Sequence, residues 1–301
     1  MVSTFTRCSW RRSARSGGST RHRSAPGRSN GISDNTSPSV AAYLLDVDGT
    51  LLTEAGAIPG AGATIDRLRL RGLPFRILTN ITRRSRRSVV RRLEEHGVVV
   101  STGEVFTAVH AAAGWLRRRN LRVVAPFVAE EALEDLAEFD LVGGTAMHSP
   151  SVAPQAVVIG DVGERWSHHL LNEAFRYVMD GAQLLALQRG RYWLGPTGLE
   201  VDAGSYVAAL EYATDKAAVV CGKPNVEFFA EAEADLEAQT GGQASGRAIV
   251  MVGDDLRADI AGAQQAGLAA WLVRTGKFRQ DELDSSDIVP DRVIASVAEL
   301  D

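Results

Sequence analysis

The chain has 301 residues, 45% of them hydrophobic, and a formal net charge of −4. That length suffices for about two domains with buried cores. No run approaches the ~18 apolar residues of a membrane span, and Cys8 and Cys221 lie far apart, outside any CxxC or Cys/His cluster. These features exclude an integral membrane protein and argue against a disulfide scaffold or a zinc site. We therefore expect a protein of a reducing, cytoplasmic compartment.

The charge is unevenly distributed along the chain. Residues 1–40 hold seven Arg and one acidic residue, Asp34, which gives +6 and leaves −10 for residues 41–301. With ten Ser and few large apolar residues, segment 1–40 is predicted to be disordered. The acidic remainder predicts no nucleic-acid partner, and no membrane partner is expected either.

Three interpretations of the basic tail remain open. It resembles a transit peptide in being rich in Arg and Ser, and it could be an arm that binds nucleic acid or a membrane surface. The third interpretation is an extension without a function of its own. We favour the third because the whole chain contains 30 Arg and 3 Lys, so an abundance of Arg is not specific to the tail.

Beyond residue 40, short apolar runs alternate with amphipathic segments. The runs have the length and composition of buried parallel strands and are Val40–Leu45, Phe75–Leu78, Arg122–Ala125, Ala156–Ile159, Ala217–Val220, Ala248–Val252 and Ala269–Val273. The predicted helices are Gly62–Arg71, Arg84–His96, Glu104–Arg119, His168–Asp180, Tyr206–Thr214, Val226–Gln239 and Leu256–Ala266. This alternation predicts an α/β fold with a doubly wound parallel sheet.

Polar residues follow four of the predicted strands, where an open α/β sheet places its ligand site. They are Asp46, Asp48, Thr79, Asn80, Lys223, Asp254, Asp255 and Asp259. Several carboxylates meeting in one cleft would repel one another unless a cation lies between them. Because the set contains oxygen ligands and no His or Cys, the sequence predicts Mg²⁺ as the cofactor.

Such a site is suited to phosphoryl transfer. Lys223 and the metal would neutralise phosphate charge, and the Thr79 hydroxyl would bind phosphate oxygens. Asp46 would attack phosphorus as the nucleophile, while Asp48 would protonate the leaving group and then activate water.

Four segments also resemble the four motifs of the haloacid dehalogenase (HAD) superfamily, in the same order and after predicted strands. They are Asp46-Val47-Asp48-Gly49-Thr50-Leu51-Leu52, Leu78-Thr79-Asn80, Gly222-Lys223-Pro224 and Gly253-Asp254-Asp255-Leu256-Arg257-Ala258-Asp259. The gap of about 143 residues between Asn80 and Lys223 is similar to that of NagD-like and p-nitrophenyl-phosphatase-like members, subfamily IIA. In those members a type C2 cap is inserted at this place.

Three further segments are similar to one branch of that subfamily. The branch holds phospholysine phosphohistidine inorganic pyrophosphate phosphatase and haloacid dehalogenase-like hydrolase domain-containing protein 2. The segments are Leu171–Arg176, Ala209–Thr214 and Thr275–Lys277. The resemblance covers about residues 41–295. It implies a Rossmann-like catalytic core at 41–120 and 214–301 and an α/β cap at 121–213, and it allows a homodimer through the cap.

The resemblance also implies a role for each motif residue. Asp46 would be nucleophile and metal ligand, Asp48 would be acid/base and a ligand through its main-chain carbonyl, and Asp254 would complete the protein ligands. The phosphate-binding residues would be Thr79, Asn80 and Lys223. Asp259 would orient a metal-bound water or Lys223, and Asp255 occupies a position that varies among relatives.

These observations predict a Mg²⁺-dependent phosphatase that acts on a small phosphorylated substrate, either a phosphate monoester, a phosphoamide or pyrophosphate. Alternatives are a NagD-like phosphatase of sugar phosphates or nucleotides, and a catalytically silent interaction module. One cluster stays outside this scheme. It is a solvated helix face or a patch that attracts anionic substrates, and it consists of Arg83, Arg84, Arg86, Arg87, Arg91 and Arg92.

Overall fold

The computed structural model describes residues 40–146, 152–195, 198–241 and 248–300. The tail that the sequence predicts to be disordered therefore lies, except for Val40, outside the described residues. The strands of the described part are, in chain order, β1 (Ala42–Asp46), β2 (Leu52–Thr53), β3 (Gly56–Ala57), β4 (Phe75–Thr79), β5 (Val105–Thr107), β6 (Val123–Phe127), β7 (Asp140–Leu141), β8 (Ala156–Ile159), β9 (Gln183–Ala186), β10 (Tyr192–Gly195), β11 (Gly198–Val201), β12 (Val219–Val220), β13 (Ile249–Gly253), β14 (Ala269–Val273) and β15 (Arg292–Ile294).

The α-helices of the described part lie mainly between these strands. They are α1 (Ala61–Leu70), α2 (Arg86–Glu95), α3 (Ala108–Arg118), α4 (His168–Met179), α5 (Ala203–Thr214), α6 (Val226–Thr240), α7 (Gly262–Gln265) and α8 (Gln280–Ser285). None of the helices in the described ranges is long and apolar enough to cross a membrane.

The first sheet has six parallel strands in the order β15-β14-β13-β1-β4-β5. Its central strand β1 is buried on both faces. Tyr43 and Leu45 belong to one apolar cluster, whereas Ala42 and Leu44 belong to another on the opposite face. A strand with alternate side chains in two cores reads as a continuous apolar run, which explains why the sequence identifies it so clearly.

A second parallel sheet has five strands in the order β12-β9-β8-β6-β7. Ala125 and Phe127 of β6 pack against apolar residues of α4 and α5, while Val124 faces a cluster shared with the first sheet. The strand β12 lies beyond residue 213, where the predicted cap ends. The cap boundaries themselves stay a prediction.

The α/β fold with parallel sheets is confirmed. Each of the seven predicted strands is present, with ends shifted by at most two residues. The predicted helix from Glu104 begins later, because Val105–Thr107 pairs with β4 as strand β5. The helix then starts at Ala108, where Thr107 Oγ1 accepts a hydrogen bond from His110 N at 3.1 Å.

The predicted helix Leu256–Ala266 also differs from the structure. Its first part, Leu256–Ala261, is a wide π-helical segment, and α7 follows it. The Asp255 side chain caps the segment by accepting hydrogen bonds from Arg257 N and Ala258 N at 3.0 and 2.9 Å. A π segment is rare and is often found at functional sites.

Candidate active site

A cleft of about 210 Å³ opens at the carboxyl ends of β1, β4 and β13, beside the loop that follows β12. All eight residues singled out by the sequence analysis line it, together with Ile81, Ala258 and Lys277. They are distant in sequence, but the parallel pairing of β4, β1 and β13 places the strand ends side by side. The structure therefore brings the predicted site residues together, and their chemical roles stay predictions.

Lys223 lies between two carboxylates at the bottom of the cleft. Its Nζ forms an ion pair with Asp46 Oδ1 and another, at 2.7 Å, with Asp259 Oδ1. The three side chains are buried, with 5%, 9% and 1% exposure for Lys223, Asp46 and Asp259. Although burial alone would lower the pKa of Lys223, the charges of Asp259 and Asp46 hold that pKa above its usual value. Lys223 is therefore a fixed cation in the cleft.

The Asp46 carboxylate is under a different balance of forces. Burial raises the pKa of Asp46 to about 8, while Lys223 opposes the rise and Asp259 and Asp254 add to it. Burial likewise raises the pKa of Asp254. Both carboxyl groups thus lie where additional positive charge would favour their ionised forms.

The Asp254 carboxylate is held by two turns that approach it closely. Lys277 N donates a hydrogen bond to Asp254 Oδ2 at 2.7 Å. A Cβ atom on Gly49 or Gly276 would lie 1.9 or 2.0 Å from the same oxygen, and both glycines have positive φ, 92° and 62°. A side chain at either position would displace the carboxylate, so the two glycines leave the space that it occupies.

Three of the acidic residues form a group that could hold a metal ion. Asp46, Asp254 and Asp259 each offer a carboxylate oxygen, and these oxygens lie within 4.8 Å of one another. Three buried carboxylates face one buried ammonium, Lys223, which leaves a deficit of positive charge. The all-oxygen donor set and the charge deficit fit the predicted Mg²⁺. The geometry adds the Asp259 carboxylate to this group, beyond the orienting role that the resemblance implied for it.

Asp48 lies apart from the buried carboxylates, at the mouth of the cleft. Its side chain is 50% exposed, and its Oδ1 accepts a hydrogen bond from Arg92 Nη2 at 2.8 Å. This position is compatible with the predicted acid/base role, because the side chain lines the cleft and is accessible to solvent.

Thr79 is the last residue of β4, Asn80 follows it, and the two side chains have different surroundings. Thr79 Oγ1 is buried and accepts a hydrogen bond from Ile81 N at 3.2 Å, which leaves its hydroxyl proton for a ligand. Asn80 exchanges two hydrogen bonds with the backbone of Lys223, from Nδ2 to the carbonyl at 2.9 Å and from the amide to Oδ1 at 2.8 Å. Asn80 therefore positions Lys223, and its predicted phosphate contact stays a prediction.

Lys277 is a cleft residue to which the sequence analysis assigned no role. Its Nζ forms an ion pair with Asp255 at 3.1 Å and its side chain is 70% exposed. Burial alone would raise the pKa of Asp255. Hydrogen bonds from Ala258 N and from Lys277 outweigh burial and hold that pKa below its usual value. The segment Thr275–Lys277 is one of the three that resemble the subfamily branch. This resemblance is the sequence feature that could have pointed to Lys277 as a site residue.

The arginine cluster is neither a purely solvated face nor a free anion-binding patch. Several of its members form ion pairs with acidic residues of the loop after β8 and of the 3₁₀ turn Glu130–Leu136. The pairs are Arg83–Asp161 at 3.5 Å, Arg86–Asp135 at 3.0 Å and Arg87–Glu134 at 2.8 Å. Arg84 and Arg91 are exposed, as a solvated face predicts.

Two protein-family models match the chain. A model described as haloacid dehalogenase-like hydrolase matches residues 43–142, and one described as HAD-hydrolase-like matches residues 220–300. In a comparison with solved structures, NagD from E. coli K-12 is similar with a TM-score of 0.74 and 26% sequence identity. That match covers 87% of this chain and 99% of NagD.

Curated relatives extend the match over most of the chain. Haloacid dehalogenase-like hydrolase domain-containing protein 2 of Rattus norvegicus is 40% identical over 238 residues, which cover 79% of this chain and 85% of the relative. Phospholysine phosphohistidine inorganic pyrophosphate phosphatase of Danio rerio is 39% identical over 255 residues, with 82% and 88% covered. The family predicted from the four motifs is confirmed: this chain belongs to the haloacid dehalogenase superfamily of hydrolases, in the NagD-like subfamily IIA.

Proposed function

We propose that this protein is a Mg²⁺-dependent phosphatase that forms an aspartyl-phosphate on Asp46. The observation that carries the proposal is the placement of Asp46 at the end of a central strand, in an open cleft beside Lys223, Asp254 and Asp259. A phosphoryl group in that cleft would meet a nucleophile, a fixed cation and a set of metal ligands. The phosphatase names of curated relatives support the same activity.

In the first proposed step, a carboxylate oxygen of Asp46 attacks phosphorus. The bond from phosphorus to the leaving oxygen or nitrogen breaks, and its electron pair goes to the leaving atom. The carboxyl group of Asp48 gives that atom a proton, so an alcohol or an amine departs neutral and the phosphate that leaves pyrophosphate carries one negative charge less. Lys223 and the Thr79 hydroxyl hold the phosphoryl oxygens in place.

In the second proposed step, water hydrolyses the aspartyl-phosphate. Asp48, now a carboxylate, takes a proton from the water while its oxygen attacks phosphorus. The bond between phosphorus and the Asp46 oxygen breaks, which regenerates the Asp46 carboxylate and releases inorganic phosphate. Asp48 ends the cycle protonated, as it began.

The proposed metal would be held by Asp46 and Asp254, with the Asp48 main-chain carbonyl from the family pattern and the Asp259 carboxylate close by. Bound there, Mg²⁺ would neutralise the charge of the carboxylates and of the phosphoryl oxygens. Lys223 forms ion pairs with Asp46 and Asp259, so this chain supplies a cation of its own as well.

The proposed substrates are small molecules with a phosphate monoester, a phosphoamide or a diphosphate bond. Relatives named for phospholysine, phosphohistidine and pyrophosphate support the last two classes. The likeness to NagD keeps a sugar phosphate or nucleotide as the alternative. A catalytically silent interaction module would be expected to lack a nucleophile or a metal ligand, whereas the cleft retains Asp46 and Asp254.

A substrate panel tests the proposal. We expect phosphate release from at least one member of a panel containing phospholysine, phosphohistidine, pyrophosphate, sugar phosphates and nucleotides. That release should depend on Mg²⁺ and stop when EDTA is added. Preference for the first three compounds would support the proposed classes, and preference for the others would support the alternative. No release from any member, with Mg²⁺ and protein of verified fold, would favour the interaction module.

A further inference from the structure

The contact between Asp48 and Arg92 joins the mouth of the cleft to helix α2. Arg92 Nη2 donates to Asp48 Oδ1 at 2.8 Å, and the Arg92 side chain is 27% exposed. Within the described ranges, Arg92 is the one cation that forms an ion pair with Asp48. Two side chains separated by 44 positions in sequence are thus joined beside the cleft.

A half-exposed aspartate without a partner samples several rotamers, and each departure from the reacting geometry lowers the rate. The Arg92 contact engages Oδ1 and leaves Oδ2 for a leaving group or a water. A charge-assisted hydrogen bond of this kind is stronger than a neutral one and restricts the orientation of the carboxyl group. The ion pair is therefore a restraint on Asp48 near the place where a proton would be transferred.

Helix α2 is well suited to carry such a restraint. Val89 and Leu93, which lie close to Arg92 on the helix, are fully buried. The Ser85 side chain caps the helix by accepting a hydrogen bond from Ser88 N at 3.3 Å. Arg86 at its first position is also tied to Asp135 through its backbone and side chain. Arg92 therefore extends from an anchored element.

We propose that Arg92 is a positioning residue for the acid/base group Asp48. The inference rests on the proposed function, because it requires that Asp48 give a proton to the leaving group. It explains why one arginine of the cluster contacts a cleft residue while Arg83, Arg86 and Arg87 pair with acidic residues elsewhere.

A comparison of two substrates with nearly equal shape tests whether Arg92 acts by positioning Asp48 or in another way. Phenyl phosphate needs a proton on its leaving oxygen, whereas p-nitrophenolate departs readily as an anion. The ratio kcat/KM reports the steps up to departure of the leaving group and excludes hydrolysis of the aspartyl-phosphate. We expect Arg92→Gln to lower kcat/KM about tenfold for phenyl phosphate and less than about twofold for p-nitrophenyl phosphate.

Matched variants complete the experiment. Arg92→Lys should restore part of the loss, because the observed contact uses a single donor nitrogen. Arg91→Gln, at the exposed neighbouring position, should leave kcat/KM unchanged for both substrates. The proposal would be overturned if Arg92→Gln lowered kcat/KM equally for both substrates, lowered it for neither, or raised it.

Asp48→Asn tests the underlying function separately. It should show the same discrimination between the two substrates as Arg92→Gln, with a larger loss for phenyl phosphate. If Asp48→Asn left the ratio of the two kcat/KM values unchanged, the acid role of Asp48 would fail whatever the Arg92 variants did. If Asp48→Asn discriminated and Arg92→Gln did not, the role of Arg92 alone would fail.

Discussion

Replacement of Asp46 by Asn is expected to lower Mg²⁺-dependent phosphate release by about 10⁴-fold or more, because an amide oxygen cannot act as the attacking nucleophile. The fold should persist. Burial, together with the charges of Asp259 and Asp254, already favours the neutral form of Asp46 without a metal, so a neutral amide at this position removes little favourable charge. We therefore expect an unchanged or higher Tm in EDTA, measured by thermal unfolding alongside the phosphate assay.

Asp66→Asn is the matched control for this variant. It makes the same chemical change on the exposed side of α1, where the Asp66 side chain is 72% exposed. Its kcat and Tm should equal those of the unaltered protein. Phosphate release by Asp46→Asn at more than about a tenth of the original rate would contradict the assignment of the nucleophile.

Replacement of Lys223 by Met should have the second large effect, on both rate and stability. The apolar side chain has a similar length but removes the cation from between Asp46 and Asp259. Loss of one hydrogen-bond donor to the transition state typically costs about 10²- to 10³-fold, and we expect kcat to fall by at least about that factor.

The stability effect of Lys223→Met has a distinctive dependence on Mg²⁺. Two buried carboxylates lose their partner, which should lower the free energy of unfolding by about 3 kcal/mol or more in EDTA. Because a divalent cation bound beside the same carboxylates would replace part of the lost charge, added Mg²⁺ should recover more stability in the variant than in the unaltered protein. Denaturant unfolding with and without Mg²⁺ measures both quantities.

Lys216→Met is the control for Lys223→Met. Lys216 donates to the Val178 carbonyl, away from the cleft, so its loss should leave kcat unchanged. Activity of Lys223→Met within about twofold of the original would show that Lys223 holds no phosphoryl oxygen.

The sequence predicts most, though not all, of the strands that are buried on both faces. The strand β1 is an example, because its alternate side chains enter two separate cores and leave no polar interruption. The pair β10 and β11 was missed for the opposite reason. Tyr192, Leu199 and Val201 are exposed there, and the apolar residues form only short segments, Tyr192–Leu194 and Leu199–Val201. The strand β9 was missed as well, although its Leu184 and Leu185 lie in two separate cores. Burial on both faces therefore does not by itself make a short strand recognisable from the sequence.

The proximity of the candidate site residues could be predicted because parallel topology determines where the strand ends meet. Asp46 is the last residue of β1 and Asp254 directly follows β13, which pairs with β1, so their convergence follows from strand order alone. The contact of Asp48 with Arg92 cannot be predicted from strand order. It depends on how helix α2 packs on the sheet, and a cluster of arginines in a sequence does not identify which one faces the cleft.

Chemical trapping tests the central claim, an aspartyl-phosphate on Asp46, most directly. The protein would be mixed with Mg²⁺ and a substrate from the panel, quenched with acid during turnover, and treated with borohydride, which reduces an acyl phosphate to an alcohol. Peptide mapping by mass spectrometry should then find homoserine at position 46, and Asp46→Asn should show no reduced residue. Reduction at another aspartate, or continued turnover with no reduced residue at any position, would contradict the account.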